Sequence, residues 1–361
     1  MATVGEDVRD SAPAQPTAQF GYALPADRIA QTPAQPRDSS RLLSLGTDGA
    51  ISDHVFTDLP GLLRPGDLLI ANDTRVRAAR LRGHTEDGAE AEVLLLDRLG
   101  DDRFTALVRP GRRLHAGAHV VAAGGLRIAV EGPARGHPGA RVVTVETGGD
   151  VEDAIAAAGE APLPPYIHQP LSDPGRYQTV YAAGAPASAA APTAGLHFTA
   201  TVHAALAARG VGWATLQLDV GLGTFAPITA ADITDHRMHA ERCTLSPQTA
   251  ARIDAARRGG GRVIAVGTTT VRTLESHVDG RGRPTPGTLT TDLFITPGHR
   301  FAVVDGLLTN FHQPRSSLLV LLASLIGMER WRRAYDHALA SGYRFLSFGD
   351  CMLGWRADRP A

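Results

Sequence analysis

Arg262 to Val266 (RVIAV) ends in four consecutive apolar residues and passes directly into Gly267-Thr268-Thr269-Thr270 and a helical segment, Val271 to His277. A strand without a polar face must be covered on both sides, which in water means a sheet held between layers of helices. A strand, a small-residue turn and a helix N-terminus is also the geometry by which such sheets offer N–H groups to anionic or polar ligands. The turn has neither the glycine spacing of a dinucleotide site nor the lysine of a Walker loop, so it marks a site without naming its ligand.

The rest of the chain supports that reading. Pro65-Gly66-Asp67 reads as a turn, Leu68 to Ala71 as a short buried strand, and Asn72-Asp73-Thr74 as its polar end. Helices are predicted over Asp150 to Ala158, Ala200 to Arg209 with Thr199 as cap, Pro247 to Arg258, Ser316 to Ile326 and Glu329 to Leu339. Leu289 to Ile295, Phe301 to Val304 and the closing YRFLSFGDCML read as strands, and Leu307 to Arg315 as a polar loop. AAGAPASAAAPTAGLHFT is rich enough in small residues to serve as a linker. Between Leu81 and Thr147 the pattern changes to short alternating runs (AEAEVLLLDR, DRFTALVRPGRRL, AHVVAAG, LRIAVEG, ARVVTVE), the signature of a small antiparallel barrel or sandwich. The expected fold is α/β: a three-layer α/β main domain, residues 20–80 and 151–361, with an inserted antiparallel β-barrel domain at 81–150. Residues 1–19, rich in Ala, Pro and Gln, are expected to form a disordered tail.

Composition excludes several chemistries. Lysine is absent from the 361 residues, so all 36 basic side chains are arginine. Walker phosphate loops, pyridoxal Schiff bases and nucleotidyl-lysine intermediates all need a lysine. A net charge of −1 and a pI near 6.9 argue against a generally basic nucleic-acid coat. Cys243 and Cys351 are the two cysteines, without a Cys-x-x-Cys, which fits a reducing cytoplasm. The first residues lack a basic stretch followed by an apolar core, so they do not read as a signal peptide. The longest apolar run, Leu318 to Ile326, is too short to span a bilayer.

Leu216 to Glu241 concentrates a glycine turn (Gly221, Gly223, Thr224) and the ionisable side chains Asp219, His236, His239 and Glu241. His236-x-x-His239-x-Glu241 is not the His-Glu-x-x-His helix spacing, so no metal is implied. Thr193, Gly195 and His197 stand at a helix entrance, Gly267, Thr268 and Thr269 in the turn described above, Asn310 and His312 in the polar loop, and Asp350 near the end. Arg272 and Glu275 fall three apart on one helical face, as a surface ion pair or as site groups. Arg75, Arg77, Arg80 and Arg82 form a basic stripe, and Arg109, Arg112 and Arg113 cluster on the rim of the barrel. Together these residues suit acid–base work on a polar ligand, phosphorylated or not.

PRDSSRLL, LRPGDLLIANDTRVRAARLRG, LVRPGRRL, PLPPYI, YQTVYA, APTAGLHFT, VGLGTF, DHRMHAE, GRVIAVGTTTVRTLES, TDLFITPG, LLTNFHQPRSSLL and YRFLSFGDCML occur in this order over about residues 20 to 355. In this the chain resembles the S-adenosylmethionine:tRNA ribosyltransferase-isomerase family of queuosine biosynthesis. The resemblance implies transfer of the ribosyl unit of S-adenosylmethionine onto 7-aminomethyl-7-deazaguanine at the tRNA wobble position, giving epoxyqueuosine, adenine and methionine. It implies S-adenosylmethionine as co-substrate, no tightly bound cofactor or metal, and no protein partner. Proton transfer would fall among His197, His236, His239, Glu241, Asp350 and Asp219. S-adenosylmethionine would be held by Thr193, Gly195, Gly221, Gly223, Thr224, Gly267, Thr268, Thr269, Arg272, Glu275, Asn310 and His312. Arg75, Arg80, Arg109, Arg112 and Arg113 would meet tRNA phosphates near the anticodon. Four positions depart from the family pattern: Asp219 replaces a histidine, Gln313 a leucine, Arg315 a lysine and Phe348 a tyrosine. A relative acting on another nucleoside or small acceptor, or a tRNA-binding relative without turnover, are the competing readings.

Overall fold

The computed structural model describes residues 14–134, 139–221 and 227–358. Among them, nine strands form one sheet, in the spatial order Gly287–Thr291, Glu241–Leu245, Gly212–Leu218, Leu68–Asn72, Val263–Val266, Gly306–Asn310, Cys351–Trp355, Arg41–Leu45 and Ile51–Val55. The four from Gly212–Leu218 to Gly306–Asn310 are parallel. Their side chains explain the layering. Leu68 and Ile70 enter one apolar layer and Leu69 and Ala71 the other, and Val263 and Ala265 alternate likewise with Ile264 and Val266. Helices cover both faces: Pro247–Arg258, Thr268–Ser276, Ser317–Ile326 and Met328–Ala340 on one side, Ala200–Ala208 and the short Leu59–Leu62 on the other. This is the three-layer arrangement that RVIAV predicts.

Several segments fold differently from expectation. Leu307 to Asn310, read as the start of a loop, lies in the central strand Gly306–Asn310, buried throughout. Phe301 to Val304, read as a strand, is not one; the Glu275 carboxylate holds it by accepting from the N–H groups of Ala302 (2.8 Å), Val303 (3.0 Å) and Val304 (3.0 Å). Two neighbouring short apolar runs offer the sheet the same material. Pairing with Val263–Val266 on one side and Cys351–Trp355 on the other selects the second. The strand expected over Leu289 to Ile295 is Gly287–Thr291, and Tyr343 to Asp350 is a turn that precedes the last strand. AAGAPASAAAPTAGLHFT is an ordered wall rather than a linker, with Pro186–Ser188 paired to Arg75–Val76 and Ala189, Ala190 and Ala191 buried. Residues 14–19, expected in the disordered tail, are tied down: Thr17 N–H donates to Ala231 O at 2.9 Å, beside the buried Phe20.

Six antiparallel strands form the barrel: Arg80–Thr85, Glu90–Arg98, Arg103–Arg109, Arg141–Glu146, Arg127–Pro133 and His119–Ala122, the last closing on the first. Inward residues such as Leu81, Val93, Leu95, Phe104, Val120, Ile128 and Val143 fill it. The helix Val151–Ala158 is capped by Asp150, which accepts from Asp153 N–H at 3.0 Å, and it adds Ile155 to the same core.

Candidate functional site

A cleft of about 630 Å3, solvent at its mouth included, lies at the carboxyl ends of the parallel strands. Its wall comes from Tyr166, from Ala191 to Ala194, from Val220 beyond Gly212–Leu218, from Gly267 to Thr269, from Thr309 to Gln313 with Ser316 and Leu318, and from Leu346 and Ser347. Gly267 can link its strand to the helix Thr268–Ser276 because it adopts φ 88° and ψ 153°, a region nearly reserved for glycine. Leu346 is held at φ 69°, a left-handed conformation rare for a branched side chain and therefore strained. Among the described lining residues none is aspartate, glutamate or arginine.

A hydrogen-bond network backs this wall. Thr193 Oγ1 donates to Asn310 Oδ1 at 2.8 Å, and Asn310 Nδ2 donates to His197 Nε2 at 3.1 Å. That leaves the imidazole proton on Nδ1, which donates to Ser40 Oγ at 2.7 Å. Thr193 and His197 are positioned by a short 3-10 turn, Thr193–His197, next to the helix that Thr199 caps. Across the cleft, His312 Nε2 lies 2.9 Å from Thr309 Oγ1, and its backbone is fixed by Tyr335 and Tyr22.

Burial pushes the pKa of both His197 and His312 down to about 3; Arg344 and Arg37 add repulsion at His197. Both imidazoles are neutral at physiological pH. An unfolded chain binds protons at these positions below about pH 6.5, whereas the folded chain does not until about pH 3. Stability should therefore fall as pH drops through that window, by about 1.4 kcal/mol per pH unit for each imidazole. Urea unfolding at pH 7 and pH 5 measures this, and the slope should shrink in His312→Gln. An unchanged slope would show that His312 is not buried neutral.

The other expected site residues divide into three groups. Glu241 and Arg272 form a buried ion pair, and Glu241 Oε1 also accepts from Gly221 N–H at 3.0 Å. Arg272 further donates to the carbonyls of Leu293 (3.1 Å) and Thr291 (3.3 Å). The Arg272–Glu275 surface pair is thus not formed; Glu275 is spent on the backbone of 302–304, with His299 Nε2 3.6 Å away. Asp350 likewise accepts from the N–H groups of Arg41 (2.9 Å) and Arg344 (2.8 Å), joining the turn before the last strand to the neighbouring strand Arg41–Leu45. Asp219 lies beside the cleft residue Val220; burial raises its carboxyl pKa, and its Oδ1 has no hydrogen-bond partner among the described residues. His236 packs on Phe294 at 5.1 Å, and His239 is exposed. Gly223 and Thr224 lie outside the described residues.

Gly195 sits against Tyr181 rather than in the cleft wall: a Cβ there would stand 1.9 Å from the Tyr181 hydroxyl. Of the arginines, Arg109, Arg112 and Arg113 are exposed on the barrel rim, as is Arg75. The stripe through Arg82 is broken, because Arg77 is buried on Glu152 (2.9 and 3.0 Å) and Arg80 faces Glu92 at 3.8 Å. Arg37 and Arg41, in PRDSSRLL, are not solvated loop charges: they donate to the carbonyls of Gln178 (2.8 Å) and Ser341 (2.6 Å). The sequence did not single out Tyr166 and Ser347, which line the cleft with their hydroxyls 2.7 Å apart, or Ser40, which bonds His197 behind the wall. Their motifs were visible, but a serine or tyrosine in a loop carries no periodic signal. Among the described residues, no group of three or more His, Cys, Asp or Glu is placed to hold a metal ion, and no helix is long and apolar enough to cross a membrane.

The family model described as queuosine biosynthesis protein matches residues 17–353. The chain is 51% identical over 337 residues to the S-adenosylmethionine:tRNA ribosyltransferase-isomerase of Symbiobacterium thermophilum, covering 92% of this chain and 98% of that one. Its similarity to the enzyme of the same name from Gloeobacter violaceus is 48% over 338 residues, covering 93% and 95%. A crystal structure of S-adenosylmethionine tRNA ribosyltransferase from Thermotoga maritima matches with a TM-score of 0.52 at 33% identity, over 93% of this chain and 99% of that chain. With a match that runs from the first ordered turn to the last strand, the chain belongs to the queuosine biosynthesis family of S-adenosylmethionine:tRNA ribosyltransferase-isomerases.

Proposed function

We propose that the chain moves and isomerises the ribosyl unit of S-adenosylmethionine onto 7-aminomethyl-7-deazaguanine at the wobble position of a tRNA anticodon, in the cytoplasm, giving epoxyqueuosine and releasing adenine and methionine. The observation that carries this reading is the Thr193–Asn310–His197 network at the wall of a cleft whose described lining has no formal charge. Sulfonium is already a cationic leaving group, so the protein needs to supply orientation and proton transfer rather than a metal. In this reading Thr193, Gly267, Thr268, Thr269, Asn310 and His312 hold S-adenosylmethionine. The proton transfers belong to His197 behind the wall and to Asp219, Glu241, His236 and His239 beyond Val220, while Asp350, Glu275 and Arg272 position backbone. Gly221, Gly223 and Thr224 would also bind S-adenosylmethionine, as the family resemblance implies.

Arg75, Arg80, Arg109, Arg112 and Arg113 would meet tRNA phosphates, which position the nucleic acid without reading its sequence. In this reading residues 81–150 are the inserted barrel and 20–80 with 151–361 the catalytic unit, with Ile155 of the helix Val151–Ala158 packing into the barrel core.

The test is to incubate the protein with S-adenosylmethionine and tRNA bearing 7-aminomethyl-7-deazaguanine, then digest and weigh the nucleosides. Epoxyqueuosine with free adenine is the expected product. Release of adenine only with a different acceptor, or tRNA binding without turnover, would overturn the assignment. In the same assay Asn310→Ala should lower kcat/KM about a hundredfold, because the group that aligns the wall is gone.

A further inference from the structure

We infer that the N-terminus of the Thr268–Ser276 helix, with the Thr269 hydroxyl, binds the carboxylate of the methionyl group of S-adenosylmethionine; this rests on the cleft being the S-adenosylmethionine site. The helix starts at Gly267 without a side-chain cap, so its first-turn N–H groups have no partner within the helix. The helix Ser317–Ile326 also starts at the cleft, but there Ser316 Oγ accepts from Leu319 N–H at 3.3 Å. One of two adjacent helix starts is thus left open toward the cleft.

Thr269 provides the second observation. It lines the cleft, is 7% exposed, and its Oγ1 has no hydrogen-bond partner among the described residues. The hydroxyls of its neighbours are committed, Thr270 to Val266 O at 2.7 Å and Thr273 to Thr269 O at 3.0 Å. A buried hydroxyl without a partner is costly unless a ligand completes it. Gly267 keeps the approach open: a Cβ there would lie 3.8 Å from both Thr269 Oγ1 and the Ala194 methyl, filling the space between them.

The ligand follows from charge. S-adenosylmethionine carries two cationic groups, sulfonium and ammonium, and one anion, its carboxylate. The positive end of a helix dipole repels the first two and attracts the third. No arginine is among the described lining residues to compete for that anion or to recruit a nucleic-acid phosphate instead.

Equilibrium dialysis with radiolabelled S-adenosylmethionine and its decarboxylated analogue, which keeps the adenosine, sulfonium and amine, tests this on the full chain. Thr269→Val removes a hydroxyl that no described protein group uses, so the thermal unfolding midpoint of the ligand-free protein should not fall. Wild type should prefer S-adenosylmethionine, Thr269→Val should weaken it about tenfold while leaving the analogue unchanged, and Thr269→Ser should retain wild-type affinity. Equal weakening of both ligands, no weakening of either, or no preference in wild type would overturn the inference. Absence of any S-adenosylmethionine binding by wild type would instead refute the assignment of the cleft itself.

Discussion

Glu241→Gln is expected to lower the free energy of unfolding by about 3–5 kcal/mol, the loss that follows when one partner of a buried ion pair is removed. Glu241 and Arg272 are 6% and 3% exposed, so the guanidinium left behind has no water to replace the carboxylate. Glutamine can still accept from Gly221 N–H through its carbonyl oxygen, but its amide then points N–H groups at the N–H groups of Arg272. Adding Arg272→Gln should restore on the order of 1–3 kcal/mol, because the coupling between the two sites disappears with the unpaired charge. Urea unfolding of wild type, both single variants and the double variant measures that coupling. Additive losses would mean the pair is not the source. If turnover collapsed in Glu241→Gln while stability held, Glu241 would serve proton transfer alone and not also support the strand that leads to the cleft.

Gly195→Ala should be the most damaging small substitution near the cleft. The added methyl would stand 1.9 Å from the Tyr181 hydroxyl and 2.9 Å from Thr179 Cγ2, distances that real carbon atoms do not keep. The short turn Thr193–His197 must then move, taking with it the two side chains that fix Asn310. A displacement of about 1 Å at such a network costs on the order of a hundredfold in kcat/KM, and overpacking about 1–3 kcal/mol of stability. Tyr181→Phe removes the nearest atom, and the Tyr181 hydroxyl has no hydrogen-bond partner among the described residues. Combining the two substitutions should therefore recover a large part of the activity. Adenine release by the single and double variants decides the matter: no recovery in the double variant would place the damage elsewhere.

What was legible in the sequence was whatever local periodicity encodes. The four apolar residues of RVIAV announced a strand covered on both faces, the alternation between Leu81 and Thr147 announced the barrel, and Gly267 before three threonines announced a helix start, which the fold places at the cleft. Thr193, Gly267, Thr268, Thr269, Asn310 and His312 were singled out from motifs, and they share one cleft. Partner choice was not legible. Arg272 and Glu275 satisfy the helical spacing of an ion pair, yet strand order brings Glu241 to the arginine and the 302–304 backbone to the glutamate. His197 meets Asn310 across 113 positions of chain, because the turn Thr193–His197 packs against the strand Gly306–Asn310. Period and composition determined which faces of this chain are buried. Long-range pairing decided which buried groups meet, because a hydrogen bond or an ion pair depends on atoms brought to within about 3 Å, which spacing along the chain does not specify.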